Sequence, residues 1–192
     1  MKKVAIVGAG PSGMLAGIKI KESLGDKVNV VIYEKKDRVG KKILASGNGR
    51  CNLSNTDLDM SYYNNAFVNN IIKEINSTNL RCYFQELGLI TMPDSSGRIY
   101  PITDMASTVL DILLRKISEL QIEVKTNTLV TNINKENDKY ILTTNNELHP
   151  FDIVILATGG KSSSYLKNWQ EWQLKIQFIF AVFRFCIELF HR

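Results

Sequence analysis

The chain has 192 residues, of which 44% are hydrophobic and 22% charged, the balance of an ordinary globular protein. Its net charge is +5, but the lysines are spread along the sequence, which argues against a nucleic-acid partner. Three distant cysteines (Cys51, Cys82 and Cys186) show no CxxC or Cys/His spacing, so neither a disulfide framework nor a metal site is indicated.

The amino terminus superficially mimics a secretory signal, with two lysines before an apolar run. Gly8, Gly10, Pro11 and Gly13 break that run, and no small-residue cleavage pattern follows. We therefore interpret it as the first strand of a domain, and reduced thiols in a cytoplasmic protein are the expectation.

A β-α-β unit is predicted at the start of the chain. Val4–Val7 and Val28–Tyr33 are apolar runs typical of parallel strands buried on both faces. Pro11–Ser23 lies between them with the spacing of a helix, whose apolar positions are Met14, Leu15, Ile18 and Ile20.

The turn between the first strand and the helix reads G-x-G-x-x-G, from Gly8 to Gly13. In this motif Gly8 permits the tight turn, Gly10 lets the backbone approach a pyrophosphate, and Gly13 lets helix and strand pack closely. The helix amino terminus offers free N–H groups to the phosphates. The sequence therefore predicts a dinucleotide site.

Glu34 ends the second strand, about 20 residues after the motif, where an acidic side chain accepts hydrogen bonds from an adenosine ribose. A carboxylate there favours an unphosphorylated ribose, because it would repel a 2′-phosphate. FAD, NAD or both fit this pattern. The alternative is a Gly-rich turn of another α/β fold, with Glu34 as a surface charge.

Ser46–Asn55, "SGNGRCNLSN", is too polar for a core element and is predicted to be a loop. Beyond it we expect two helical segments within residues 62–87 and a hairpin within residues 88–101, turned at Asp94–Gly97. A helix is predicted over Thr103–Glu119, with Thr103 or Asp104 as its cap.

A β-rich stretch of three or four short strands follows over residues 122–151. Asp152–Gly160, "DIVILATGG", then predicts another buried strand that ends in glycines. His149 and His191 lie in no recognisable catalytic context, and we assign no catalytic residue.

Four segments carry a resemblance to a known family: "EK" followed by "GKK" over residues 34–42, "SGNGRCN" over 46–52, "GRIYPITDMASTVLDIL" over 97–113, and "ILATGGKS" over 155–162. They resemble bacterial and archaeal NAD(P)/FAD-dependent oxidoreductases. That family includes aminoacetone-oxidase-like flavoproteins and reductases of unsaturated ring ketones such as bile-acid intermediates. The resemblance covers about residues 1–163, and "SGNGRCN" is its most specific part.

The resemblance implies FAD as cofactor and NAD(P)H as electron donor. Glu34 would hold the ribose, and Val130 would meet the adenine through its backbone. The pyrophosphate would lie against Gly8, Gly10, Pro11, Ser12 and Gly13. The strand end at Ala157, Thr158 and Gly159 would lie against the dinucleotide. The residues running towards the flavin would be Lys35, Lys42, Ser46, Gly47, Asn48, Gly49, Arg50, Cys51 and Asn52.

The chemistry of the 46–52 loop fits that role. Gly47 and Gly49 allow close backbone approach and positive φ. Arg50 can hold a phosphate or the negative charge that develops on a reduced flavin, and Lys42 could do the same. Cys51 has no partner cysteine and no flanking histidine, so a packed thiol is favoured over redox chemistry.

The composition changes after Gly160: all 12 glycines and all 4 prolines lie at or before it, whereas both tryptophans follow it. One interpretation is a frameshifted or early-ended product of a longer flavoprotein gene, which the compositional break favours. The other is a genuine carboxy-terminal helix that covers the sheet, dimerises or lies on a membrane. Its apolar run is too short and too interrupted by charge to span one.

We therefore expect an α/β Rossmann-like FAD-binding domain, with a parallel sheet, helices and a small β-meander layer, over residues 1–165. It is expected to be incomplete relative to its family, with an atypical aromatic tail over 166–192. The expected function is the FAD-binding portion of an NAD(P)H-linked oxidoreductase that passes hydride to an organic acceptor or oxygen. A truncated non-catalytic nucleotide-binding remnant, or a membrane-surface or oligomerising protein acting through the tail, are the alternatives. The substrate and the oligomeric state stay open.

Overall fold

A computed structural model describes residues 1–59, 61, 73, 75–145 and 147–159 of the chain. Two compact units are distinguished. The first comprises Met1–Gly40 together with the chain from Ile117 onward, and the second comprises Lys41–Lys116. The predicted first helical segment after Tyr62 and the aromatic tail lie outside the described residues.

The described residues form ten strands and four α-helices. The strands are β1 (Lys2–Val7), β2 (Val28–Tyr33), β3 (Ser54–Asn55), β4 (Thr91–Pro93), β5 (Arg98–Pro101), β6 (Glu123–Lys125), β7 (Val130–Glu136), β8 (Lys139–Thr144), β9 (Glu147–Phe151) and β10 (Ile153–Leu156). The α-helices are α1 (Pro11–Leu24), α2 (Lys41–Ala45), α3 (Ser77–Glu86) and α4 (Ala106–Glu119). Short 3₁₀ turns occupy Gly25–Lys27 and Ser46–Gly49.

The first unit is built on a parallel four-stranded sheet in the order β10-β1-β2-β6. Helix α1 covers one face, and it lies close because Gly17 has no side chain: a Cβ there would sit 3.2 Å from Ile32 Cδ1 and 3.4 Å from Ile6 Cδ1. Met14 and Ile18 of the helix are fully buried. The predicted β-α-β unit is confirmed.

The antiparallel meander β7-β8-β9 packs against residues of the other face. Val130, Leu142 and Phe151 of the meander share a buried cluster with residues of β1 and β2, among them Val7 and Tyr33. The two-sided burial explains why β1 and β2 are apolar at consecutive positions rather than at alternate ones. The expected meander layer is therefore present.

The second unit contains a small antiparallel sheet in the order β3-β5-β4, together with α2, α3 and most of α4. The predicted hairpin is confirmed: Asp94 Oδ1 accepts hydrogen bonds from the backbone N–H groups of Ser96 and Arg98, which closes the turn between β4 and β5. Asn76 caps α3, its Oδ1 accepting from Asn79 N at 2.9 Å.

Two sequence expectations need correction, and one strand pairs in a way that the sequence did not predict. Residues 41–49 form helix α2 and a 3₁₀ turn, and Ser54–Asn55 pairs with β5 as strand β3, so the polar stretch is not loop throughout.

Helix α4 begins at Ala106, so neither Thr103 nor Asp104 is adjacent to its first residue. Asp104 instead lies in a turn, with φ at +57° and its N–H donating to Pro101 O. Of the four strands over residues 122–151, β6 joins the parallel sheet.

In the part of the chain that the structure describes, no helix combines the length and the apolar character needed to cross a bilayer.

Candidate functional site

The Gly-rich turn packs so tightly that two of its glycines are sterically required. A Cβ on Gly8, whose φ is +110°, would lie 2.4 Å from Ala157 O. A Cβ on Gly13 would lie 1.9 Å from Gly8 O. Both distances are far below van der Waals contact, which confirms the turn and packing roles predicted for Gly8 and Gly13.

Gly10 differs from these two glycines. Its φ of −79° is open to any residue, and a Cβ there would meet nothing within 4 Å. The protein itself therefore gives no steric reason for glycine at this position. A ligand that approaches the backbone closely would give one.

The amino terminus of α1 is suited to an anion. Gly10 is its N-cap residue, no side chain caps it, and its first turn contains no acidic residue. Pro11 occupies the first turn, where its missing N–H costs nothing. Met14 N–H donates to Gly10 O at 3.0 Å, so the amides of Ser12 and Gly13 precede the first intrahelical hydrogen bond. Free amides and the helix dipole favour a phosphate at this end.

Glu34 is fixed beside the same turn by four hydrogen bonds. Its Oε2 accepts from Ala9 N and its Oε1 from Lys36 N, each at 3.0 Å. Its backbone N–H donates to Lys125 O and its carbonyl accepts from Thr128 N. Each carboxylate oxygen has a further lone pair, so the group can still accept hydrogen bonds from ribose hydroxyls.

The carboxyl end of β10 and the start of β7 also lie in the first unit. Ala157 N–H donates to Val7 O at 2.8 Å, which continues the parallel pairing and brings Ala157 and Thr158 against the Gly-rich turn. The side chain of Val130 is buried with Val7 and Tyr33. The structure thus brings together the residues that the sequence predicted for the nucleotide half of the site. Lys35, which was predicted to run towards the flavin, is exposed to solvent.

The remaining predicted residues, Lys42 and Ser46–Asn52, lie in the second unit. Four residues of the loop adopt positive φ: Gly47 at +56°, Asn48 at +56°, Gly49 at +81° and Cys51 at +60°. For residues other than glycine this conformation costs roughly 1–2 kcal/mol each. Such strain persists only where surrounding contacts enforce it, and it is concentrated at functional sites.

Two residues that the sequence did not assign to the site, Tyr100 and Asp104, hold Arg50. Its Nε donates to Asp104 Oδ1 at 2.5 Å, and its guanidinium carbon lies 3.9 Å from the centre of the Tyr100 ring. The hydrogen bond to Asp104 raises the pKa of Arg50. Both partners occur in the "GRIYPITD" segment, but no local pattern pairs them with a residue about fifty positions away.

Cys51 is buried, and that burial raises the pKa of its thiol, opposed by a hydrogen bond with Ser46. A thiol of raised pKa is a poor nucleophile at neutral pH. The prediction of a packed thiol is confirmed. Lys42, Asn48 and Asn52 are exposed. Over residues 1–59, 61, 73, 75–145 and 147–159, no group of histidine, cysteine and acidic side chains is arranged to hold a metal ion.

Comparison with known proteins identifies the family. The model of the HI0933-like protein Rossmann domain matches residues 2–177. The chain belongs to this family. The Rossmann fold predicted from the sequence is therefore confirmed.

Among the curated relatives of the chain, one is a reductase by name and another is a synthase by name. The chain is 37% identical to a 3-dehydro-bile acid delta(4,6)-reductase of Clostridium scindens over 169 residues, which are 86% of this chain and 41% of the relative. It is 24% identical to a ribosomal RNA dihydrouridine synthase of Haemophilus influenzae over 164 residues, 82% of this chain and 40% of that protein. The chain spans about two fifths of the length of these relatives.

Solved structures share the fold at low identity. Thermovibrio ammonificans THI4 superposes with a TM-score of 0.54 and 16% identity, over 82% of the HI0933-like chain and 57% of its own. CtdE in complex with FAD and a substrate superposes with a TM-score of 0.52 and 15% identity, over 83% of this chain and 38% of its own.

Proposed function

We propose that this chain is the FAD-binding portion of an NAD(P)H-linked flavoprotein oxidoreductase. The observation that carries the proposal is the uncapped start of α1, with open space at Gly10 and the carboxylate of Glu34 beside it. This arrangement fits a negatively charged pyrophosphate followed by a ribose. The CtdE complex with FAD, which has the same fold, supports the choice of FAD.

Each predicted residue has a task in this proposal. The amides of Ser12 and Gly13 receive the pyrophosphate, Glu34 accepts the ribose hydroxyls, and the backbone at Val130 meets the adenine. Ala157, Thr158 and Gly159 lie along the dinucleotide. Lys35, Lys42 and the Ser46–Asn52 loop are assigned to the flavin by the resemblance alone.

A bound FAD supplies a ring that accepts a hydride from NAD(P)H and passes it on. The residues of this chain bind and orient that group. Both named relatives suggest the class of acceptor, since a delta(4,6)-reductase and a dihydrouridine synthase each reduce carbon–carbon double bonds of a ring. We therefore propose an unsaturated ring compound as the acceptor. A cytoplasmic location is part of the proposal, supported by the free thiols of Cys51 and Cys82.

The test is the visible absorbance spectrum of the purified chain after incubation with FAD and desalting. A retained flavin band near one equivalent is expected. NADH and NADPH are then added without oxygen, and bleaching of the band reports reduction. A soluble, folded chain that retains no flavin would contradict the proposal for this chain and favour a non-catalytic remnant.

A further inference from the structure

The strained 46–52 loop is held by few bonds of its own. Ser46 O accepts from Cys51 N at 3.0 Å, and Gly47 O accepts from Arg50 N at 3.2 Å. Ser46 Oγ donates back to Ile43 O at 2.7 Å. These bonds close the turn on itself, but they do not fix it to the sheet of its unit.

Arg50 contacts the sheet of this unit at Tyr100, and the loop joins that sheet at Leu53, whose N–H donates to Ile99 O. Tyr100 Cε1 lies 3.4 Å from the position of a Cβ on Gly47, and the Arg50 guanidinium lies over the Tyr100 ring. Tyr100 is only 7% exposed and pairs with Met92 in the β4–β5 hairpin. Asp104, the second partner of Arg50, is held in its turn by the hydrogen bond to Pro101.

The two contacts of Arg50 leave it poorly suited to be the anion ligand of the loop. A guanidinium that stacks on a ring donates hydrogen bonds through its edge. In Arg50, Nε on that edge already donates to Asp104. The nearby carboxylate also offsets the charge that a phosphate or a reduced flavin would need. We propose that Arg50 is a positioning residue, which fixes the left-handed backbone of the 46–52 loop to Tyr100 and Asp104.

Amide hydrogen exchange of the loop, followed by mass spectrometry without added FAD, tests the proposal. Arg50→Gln is expected to speed exchange of the peptide that covers residues 47–53 by about fivefold or more, because it removes both the cation–π contact with Tyr100 and the charged hydrogen bond to Asp104. Tyr100→Leu is expected to do the same, whereas Tyr100→Phe keeps the ring and retains slow exchange. Arg98→Gln removes the same charge from the exposed start of β5 and is the matched control.

The proposal also predicts how FAD affinity changes, and this part rests on the proposed function. Tyr100→Leu should weaken FAD binding as Arg50→Gln does, and Tyr100→Phe should bind like the unaltered chain. If Arg50→Gln leaves the exchange of the loop unchanged, the positioning role is overturned. If that variant also loses FAD affinity, Arg50 is an anion ligand instead. Failure of the unaltered chain to bind FAD would reject the proposed function and leave the exchange result to decide the role of Arg50.

Discussion

At the scale of single residues, the three motif glycines are required for different physical reasons. Gly8 and Gly13 are required by the protein, because a Cβ on either would overlap backbone atoms. No atom in the described part of the chain lies close enough to require glycine at position 10. The same motif thus contains two residues that serve the fold and one residue that, in the proposed function, serves the ligand.

Gly10→Ala should separate these roles. We expect its free energy of unfolding to change by less than about 1 kcal/mol, since the backbone is extended and the space is open. FAD affinity should fall by about tenfold or more, because the methyl group holds a phosphate away from the amides. Chemical denaturation and flavin fluorescence titration measure the two quantities.

Gly13→Ala is the matched comparison. Its Cβ would overlap Gly8 O, so the free energy of unfolding should fall by about 3 kcal/mol or the chain should not fold. Equal stability of the two variants would contradict the division of roles between Gly10 and Gly13.

At the scale of elements, β10 is joined to β1 by a side-chain bridge as well as by the sheet. Asp152 precedes β10, and its Oδ2 accepts from Lys3 N at 2.7 Å, while Asp152 N donates to Lys3 O at 2.9 Å. Lys139 of β8 forms an ion pair with the same carboxylate. One aspartate therefore ties the meander to β1, an interior strand of the parallel sheet.

Asp152→Asn is expected to lower the free energy of unfolding by about 1 kcal/mol at pH 7. The hydrogen bond from Lys139, followed by that from the Lys3 amide, lowers the pKa of Asp152. The contribution is therefore present above the ordinary aspartate pKa of about 3.9 and is lost as pH falls through the lower folded value. Urea unfolding of the unaltered and Asp152→Asn chains from pH 7 to pH 3 measures how far the difference between their unfolding free energies shrinks as pH falls.

Asp138→Asn, in the exposed turn between β7 and β8, is the control and should match the unaltered chain. An Asp152→Asn chain as stable as this control at pH 7 would show that the bridge contributes nothing.

At the scale of the whole molecule, burial between the sheet and the meander makes stability sensitive to alkaline pH. Tyr33 is 2% exposed within the shared cluster, beside Phe151 and His149. Burial, reinforced by the charge of Glu123, raises the pKa of Tyr33 to about 12. The nearby Lys125 ammonium, 5.9 Å from the ring centre, does not reverse this shift.

Between pH 10 and pH 12 the unfolded chain should lose the Tyr33 proton while the folded chain keeps it. The unfolded state then binds fewer protons, so stability falls as pH rises through this window. Tyr33→Phe should remove the loss of unfolding free energy that the ionisation of Tyr33 causes between pH 10 and pH 12. The measurement is the difference in unfolding free energy between the two chains from pH 8 to pH 12. A difference that stays constant would show that Tyr33 ionises normally.

Local patterns along the chain were sufficient to predict the β-α-β unit, the dinucleotide motif, the hairpin and the short strands within residues 122–151, whereas the meander layer was implied by the family resemblance. Consecutive apolar residues indicated β1 and β2, glycine spacing indicated the turn, and Asp94 to Gly97 indicated the hairpin. Local chemistry also predicted the packed thiol of Cys51. Short-range sterics and periodicity are visible in a linear sequence, which is why these elements could be predicted.

The remaining features depend on contacts that form only in the folded chain. The start of α4 at Ala106 and the two-residue strand β3 depend on pairings with β5 and the turn after it, not on cap or strand signals. Strand β6 joins β2 rather than the meander, although its residues read like their neighbours. The partners of Arg50 lie about fifty residues along the chain, and only folding brings a guanidinium, a ring and a carboxylate into contact.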